Sequence, residues 1–418
     1  MNRKQLIIML VLVALIGGAG VLLVNKQNNS WKDNNPTIGK KLLGDFPVND
    51  VTHIVIKQGT NELNLARKDI WQVRERNGYP ANYSEISSFL LKLKDLKIVQ
   101  IEKVGPSQLG RLALSLGPGT NTATVLELKD QNDKTVKSLV LGKKHMRKSD
   151  RPSPFGDMGE EGYPDGRYVQ TGGDSGSVVL ISDALANTEP KAEQWLNKDF
   201  FKIEKARTVA VTFPVATNSW KLTRETETGE WKLADSKPGE QLDSSKASSV
   251  ANPLGSPSFT DVAVNATPGN LDKPTVATIE TFENLTYTLK IGQKTNDNYP
   301  LALTVAAQQP KERTPAKDEK PEDKDKLDKE FKEKQKKLEE KVAQEKGFEK
   351  WVYLVSSWTV DPLLKERSTL LVEKKEEPKK DDKAASTEVP KISETAEKLI
   401  PPSDVSKPPV PEEPKAAK

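Results

Sequence analysis

Short stretches in which apolar and polar residues alternate, separated by glycine, asparagine or aspartate, fill the first folded part of the chain. VTHIVIK from Val51, LNLAR from Leu63 and WQVRER from Trp71 keep this period of two and break at Gly59, Asn61 and Asp69. The pattern predicts three antiparallel strands. The period then changes: Ile86, Phe89, Leu90, Leu93 and Leu96 fall at offsets of three, four, seven and ten. That spacing gathers them on one helical face, with Ser84 placed to cap the first turn. Further strands are predicted over residues 97–102, 123–129, 135–141, 167–170 and 177–182, and the unit closes near Leu185.

The same order then returns. After the connection EPKAEQWLNKDF from Glu189 come ARTVAVTF from Ala206, SWKLTRE from Ser219 and GEWKLAD from Gly229. LVLGKK from Leu139 finds a counterpart in LKIGQK from Leu289, and GRYVQ with VVLIS finds one in KWVYLVSS from Lys350. Four matches in order predict a tandem duplication with an offset of roughly 150–180 residues, one domain length. The expected fold class is α+β, with two related antiparallel-sheet-plus-helix domains over residues 46–187 and 188–372.

The second copy carries a charged insertion over residues 308–349, placed by the sequence between the LKIGQK and KWVYLVSS strands, where the first copy has the connection from His145 to Gly166. Within it Leu327, Phe331, Leu338 and Val342 make a narrow apolar stripe among lysine and glutamate. Such a stripe could dock a partner as a projecting helix. It is thin for a coiled coil, so a solvated helix or a disordered arm is the reading adopted. Beyond Val372, residues 373–418 are rich in proline, lysine and glutamate and are expected to form a disordered tail.

At the other end, residues 6–24 are nineteen uncharged, mostly apolar residues behind Arg3 and Lys4. A helix of that length rises about 28 Å and spans a hydrocarbon core. The flanking charges place the N-terminus in the cytoplasm and the bulk of the chain outside, as a single-pass protein of the inner (cytoplasmic) membrane. A cleaved signal peptide is the competing reading, given the small residues Gly17 to Gly20; because Val21 to Val24 prolong the apolar run, the uncleaved anchor over residues 1–24 is preferred. Residues 25–45 read as a tether.

Composition narrows the chemistry. Charged residues make up 30% and hydrophobic ones 35% with 28 prolines, so part of the chain cannot build a core. The 64 basic residues nearly balance 60 acidic ones, which leaves no footprint for nucleic acid. The absence of cysteine removes disulfides, thiolate catalysis, zinc–thiolate sites and acylated-cysteine anchoring.

GGDSGS from Gly172 is similar to a serine-protease nucleophile loop, and His53, Asp95 and Ser175 follow the matching order. Yet His53 sits in an alternating strand and Asp95 late in a helix, and TGGDSGS has the composition of a hairpin turn, so a turn is the expectation. The only other histidine, His145, lies in the basic stretch KKHMRKSDR and reads as a solvated loop residue. Asp157, Glu160, Glu161 and Asp165 match no calcium-loop spacing. Lys143, Lys144, Arg147, Lys148 and Arg151 could touch anionic lipid or wall polymer, but a solvated loop is preferred. Trp71, Trp231, Trp351 and Trp358 are expected as core anchors. No phosphate-binding glycine loop is present. No catalytic, metal or cofactor site is therefore expected.

FPVNDVTHIVIK, LNLARKDIWQV, GYPANYSEISSFLLKLKDLKIV and the pairing of LVLGKK with GRYVQ and VVLIS resemble the bacterial domain of unknown function numbered 4340 (DUF4340), over residues 46–185 and more loosely in the second copy. The resemblance implies an extracytoplasmic protein often encoded beside an ABC-type transporter, and it brings no active-site residues. The expected function is a non-enzymatic accessory or scaffold component of an envelope transport system, with the inner membrane and an ABC-type permease or other envelope protein as partners. The alternatives are a module binding cell wall or another extracytoplasmic ligand, and a hydrolase using Ser175.

Overall fold

The computed structural model describes residues 38–372, apart from 118, 120, 148–161, 172–176, 252–253, 265–270, 309, 311, 316–318 and 322. The alternating segments pair as their period requires, one face buried and the other open. They give β1 (His53–Gln58), β2 (Asn61–Arg67), β3 (Trp71–Val73), β4 (Tyr79–Pro80), β5 (Ile98–Glu102), β6 (Thr124–Lys129), β7 (Thr135–Arg147), β8 (Tyr163–Gln170) and β9 (Val178–Ile181). Among the described residues these form a nine-stranded antiparallel sheet in the order β4-β3-β2-β1-β6-β7-β8-β9-β5. Helix α1 (Tyr83–Asp95) links its two edge strands, β4 and β5, and buries Ile86, Phe89, Leu90 and Leu93. Its cap is Asn82 rather than Ser84: the Asn82 side chain accepts a hydrogen bond from the Glu85 amide at 3.3 Å.

A second sheet follows: β10 (Ala206–Thr212), β11 (Trp220–Thr223), β12 (Lys232–Leu233), β13 (Asp261–Val262), β14 (Thr275–Thr281), β15 (Leu285–Ile291), β16 (Asn298–Ala307) and β17 (Tyr353–Ser356). Its order is β12-β11-β10-β14-β15-β16-β17-β13, again antiparallel. A short helix, α2 (Ser244–Ala251), sits between β12 and β13 in the chain, as α1 sits between β4 and β5. With β4 set aside, the two orders agree strand for strand. The chain is α+β, with two antiparallel sheets plus helices.

The topology corrects the placement of the insertion. β16 was not anticipated, and the insertion, with α3 (Lys324–Lys346), follows it and precedes β17. By strand order, the matching position in the first sheet lies between β8 and β9, not between His145 and Gly166. α3 is a helix whose stripe turns inward at its C-terminal end, where Val342 is buried and Leu338 packs on the core. A last short helix, α4 (Ser357–Val360), follows β17.

The two sheets are welded rather than linked. One hydrophobic cluster runs from Leu43 to Leu370 through both, and the described residues form one compact unit. Where they meet, Tyr79 of β4 packs edge-on against Phe259, Trp351 and Tyr353 with ring centroids 6.0, 5.1 and 6.1 Å away. Arg76 clamps Asp261 with two hydrogen bonds of 2.7 and 2.6 Å, and the Asn77 amide donates to the Val264 carbonyl at 2.6 Å. The connection 195–197 pairs with the free edge of β4, Asn82 donating to the Trp195 carbonyl and Asn197 to that of Pro80.

The apolar run 6–24, the tether up to residue 37 and the tail 373–418 lie outside the described residues. Among the described residues no helix is long and apolar enough to cross a membrane.

Candidate functional site

Of the three residues in serine-protease order, His53 and Asp95 are each engaged with other partners. His53 is buried in β1, its Nδ1 2.9 Å from Asp133 Oδ1 and its Nε2 2.8 Å from Asn64 Oδ1. The Asn64 amide nitrogen donates to Glu62 and Glu75, both at 2.9 Å, which turns its oxygen toward the imidazole. Both ring nitrogens are thus engaged on the outer face of the sheet. Asp95, at the end of α1, accepts from Lys41 Nζ at 3.0 Å, and that cation holds its carboxyl below the usual range. Ser175 lies outside the described residues.

His145 is not in a loop. β7 runs on to Arg147, and the His145 Nδ1 lies 2.6 Å from Asp165 Oδ1 on β8. Lys143, Lys144 and Arg147 share that strand, whereas Lys148, Arg151, Asp157, Glu160 and Glu161 lie outside the described residues. Among the described residues no three His, Asp or Glu side chains gather as metal ligands. Of the four tryptophans expected as core anchors, Trp71 is buried, Trp351 is half-buried against Tyr79, and Trp231 lies half-buried under the Arg224 guanidinium at 4.7 Å. Trp358 breaks the expectation: it is 89% exposed on α4.

A concavity lies elsewhere, between the connection after Trp195 and the C-terminal end of α3. It is a cleft of about 500 Å³. Phe200 and Phe348 form its apolar side, and Lys198, Lys202, Lys341 and Glu345 supply its polar groups. These groups are largely committed to each other. Glu345, 4% exposed, accepts from the Tyr287 hydroxyl at 2.7 Å and from the Lys202 amide at 3.2 Å. Burial, helped by the facing carboxylate, pushes the Tyr287 hydroxyl well above the usual tyrosine range. Lys341 Nζ donates to the Lys202 carbonyl at 3.0 Å. Lys198 Nζ donates to the Thr260 carbonyl at 2.8 Å and lies 4.6 Å over the Phe259 ring; burial lowers its pKa. The arrangement fastens α3 to the second sheet. Glu345 escaped the sequence reading, although it continues the stripe three residues after Val342, where an acid in line with apolar residues signals a buried partner.

Two buried arginines serve the fold. Arg167 donates to the Gly142 carbonyl at 2.7 Å, the Leu185 carbonyl at 3.1 Å and the Thr188 hydroxyl, and burial pushes it down to about 10. Gly142 explains the glycine of LVLGKK: a Cβ there would sit 2.3 Å from the Leu112 carbonyl oxygen. Arg367 grips Glu240 and Asp235, and pulls the Glu240 carboxyl down to about 2.

Residues 157–275 match the model of a domain of unknown function, DUF4340. The match takes in β8 to β13, so it straddles the two sheets instead of coinciding with the first unit, and it shares residues 157–185 with the stretch on which the resemblance was drawn. No curated protein and no solved structure matches the chain.

Proposed function

We propose that the chain is a non-enzymatic, membrane-anchored extracytoplasmic protein that acts as an accessory or scaffold component of an ABC-type envelope transport system. The observation that supports this reading is the weld between the sheets. A rigid body with one shared core, behind an apolar N-terminal run, suits a part that holds partners in place. The chemistry agrees, because His53, Asp95 and His145 are each spent on local structure. In this reading residues 6–24 cross the inner membrane once, the N-terminus faces the cytoplasm and the sheets stand outside. The matched strand orders support an origin of the two sheets by tandem duplication.

Ligand binding is the second reading, favoured by the cleft beside α3. A hydrolase using Ser175 would need a base, and His53 has Asp133 and Asn64 at its two nitrogens.

Affinity capture of the detergent-solubilised full-length chain, read by mass spectrometry, tests the proposal. Permease subunits should co-purify; recovery of the chain with no envelope transport component would overturn it. A reporter joined after Lys418 should work only if it is of the type active outside the cytoplasm. Activity of the cytoplasmic type alone would sink the topology.

A further inference from the structure

His53 meets an acceptor at each ring nitrogen. Nδ1 lies 2.9 Å from Asp133 Oδ1 on the β6–β7 turn, and Nε2 lies 2.8 Å from Asn64 Oδ1 on β2. A neutral imidazole donates through one nitrogen and accepts at the other. With its proton on Nδ1, the Nε2 lone pair meets the Asn64 oxygen; with its proton on Nε2, the Nδ1 lone pair meets a carboxylate. Reversing the Asn64 amide gives no relief. Its nitrogen now donates to Glu62 and Glu75, both at 2.9 Å, and the reversed group would set its oxygen against those two carboxylates. His53 is 7% exposed, so water offers little substitute for either partner. The doubly protonated ring, donating twice, completes the network.

We infer that His53 is a proton-operated latch: doubly protonated, it ties the β6–β7 turn through Asn64 to residues 74–76, and losing the second proton releases Asn64 and Glu75. Glu75 holds β2 twice, accepting from the Asn64 side-chain amide and, at 3.0 Å, from the Asn64 backbone N–H. The next residue, Arg76, donates to the Glu75 carbonyl at 3.0 Å and carries the two-bond clamp on Asp261 of the second sheet. The latch therefore ends one residue from the weld. The charges around the ring favour its cation. Asp133 faces it directly, and the ring's hydrogen bond holds that carboxyl below the usual range. Glu62 and Glu75 stand behind Asn64. The nearby cations are answered within the same cluster: Lys129, opposite His53 on β6, lies 3.7 Å from Glu127 and 3.8 Å from Asp133, Lys57 lies 3.5 Å from Glu62, and Arg74 acts on Asp133. A further positive charge at the ring is matched by the acids around it.

With 2 histidines in the chain, the test is selective. In the full-length protein in detergent, isotope-labelled histidine reports which ring nitrogens carry protons, and His145→Gln assigns His53. Hydrogen exchange of the Asn64 backbone amide, corrected for intrinsic rates, reports the hold of Glu75. As pH rises and the His53 ring gives up one proton, Asn64 protection should fall at least about tenfold in the same step, the loss expected when a hydrogen bond to a charged group goes. Asp133→Asn should move both changes together to lower pH; the left-handed backbone there, φ 59°, suits asparagine. His53→Gln should make the protection independent of pH. A ring with one bare nitrogen throughout the range of about pH 5–8 in which histidine titrates would overturn the inference. So would proton loss that leaves Asn64 protection unchanged, or an Asp133→Asn variant that moves neither.

Discussion

Removing the Tyr287 hydroxyl tests how α3 is held. Tyr287→Phe keeps the ring, which is fully buried, and deletes the 2.7 Å hydrogen bond to Glu345. Glu345 is left with the Lys202 amide at 3.2 Å and Lys341 at 3.9 Å. A hydrogen bond to a charged group is worth about 1.5–3 kcal/mol, and a buried acceptor stripped of its donor forfeits a similar amount, so a loss of about 2 kcal/mol is expected. For a unit of this size the unfolding entropy is roughly 0.7 kcal/mol/K, which makes the expected fall in Tm about 3 °C. The alkaline limb gives a second readout. The folded Tyr287 keeps its proton beyond the ordinary tyrosine pKa of 10.0, so its contribution is whole below that pH and shrinks as pH rises above it. Tyr287→Phe should therefore lose less stability above pH 10 than the unaltered chain. Differential scanning calorimetry at neutral pH and in the alkaline range measures both effects. A variant that melts at or above the original temperature, with the same alkaline slope, would refute the account of how α3 is fastened.

Three further outcomes follow from the packing. Gly142→Ala forces a methyl group to within 2.3 Å of the Leu112 carbonyl oxygen and 2.9 Å of Leu114, so urea melts should show a loss of about 1–3 kcal/mol. Arg367 holds the Glu240 carboxyl at about 2; the stability this gives is present above the unfolded carboxylate pKa and lost as pH falls toward 2. Arg367→Met should flatten that part of an acid titration followed by circular dichroism. Trp358→Ala should leave the Tm within about 1 °C, since exposed substitutions change stability by no more than about 0.5 kcal/mol, while removing the part of the fluorescence most accessible to iodide.

Elements with a strong period were legible from sequence. The stripe of Ile86, Phe89, Leu90 and Leu93 gave α1, and the alternation around Ile54 and Leu65 gave β1 and β2. Asn82 and Ser84 are both good cap residues, and the cap falls at Asn82, whose backbone is extended and whose amide is tied to the Trp195 carbonyl at 2.8 Å. β16 alternates from Leu301 to Val305, but it carries Pro300, which lacks the N–H for a ladder hydrogen bond and so weakens a strand pattern. Glu345 and Trp358 failed in opposite directions. An acid was buried because Tyr287, 58 residues away, meets it, and an aromatic was left in water because α4 turns it outward. Neither partner nor orientation is encoded locally. The polar network around His53 depends likewise on Asp133, which only the β6–β7 turn brings near.

The aromatic seam at Tyr79, Phe259, Trp351 and Tyr353 sets a limit on how this protein can be taken apart. Severed near residue 190, each portion would uncover rings that now shield one another, and the Arg76–Asp261 clamp would be shared between two polypeptides. Such fragments should be insoluble when made separately and regain solubility when made together, which turns a cut chain into a split reporter of its own assembly.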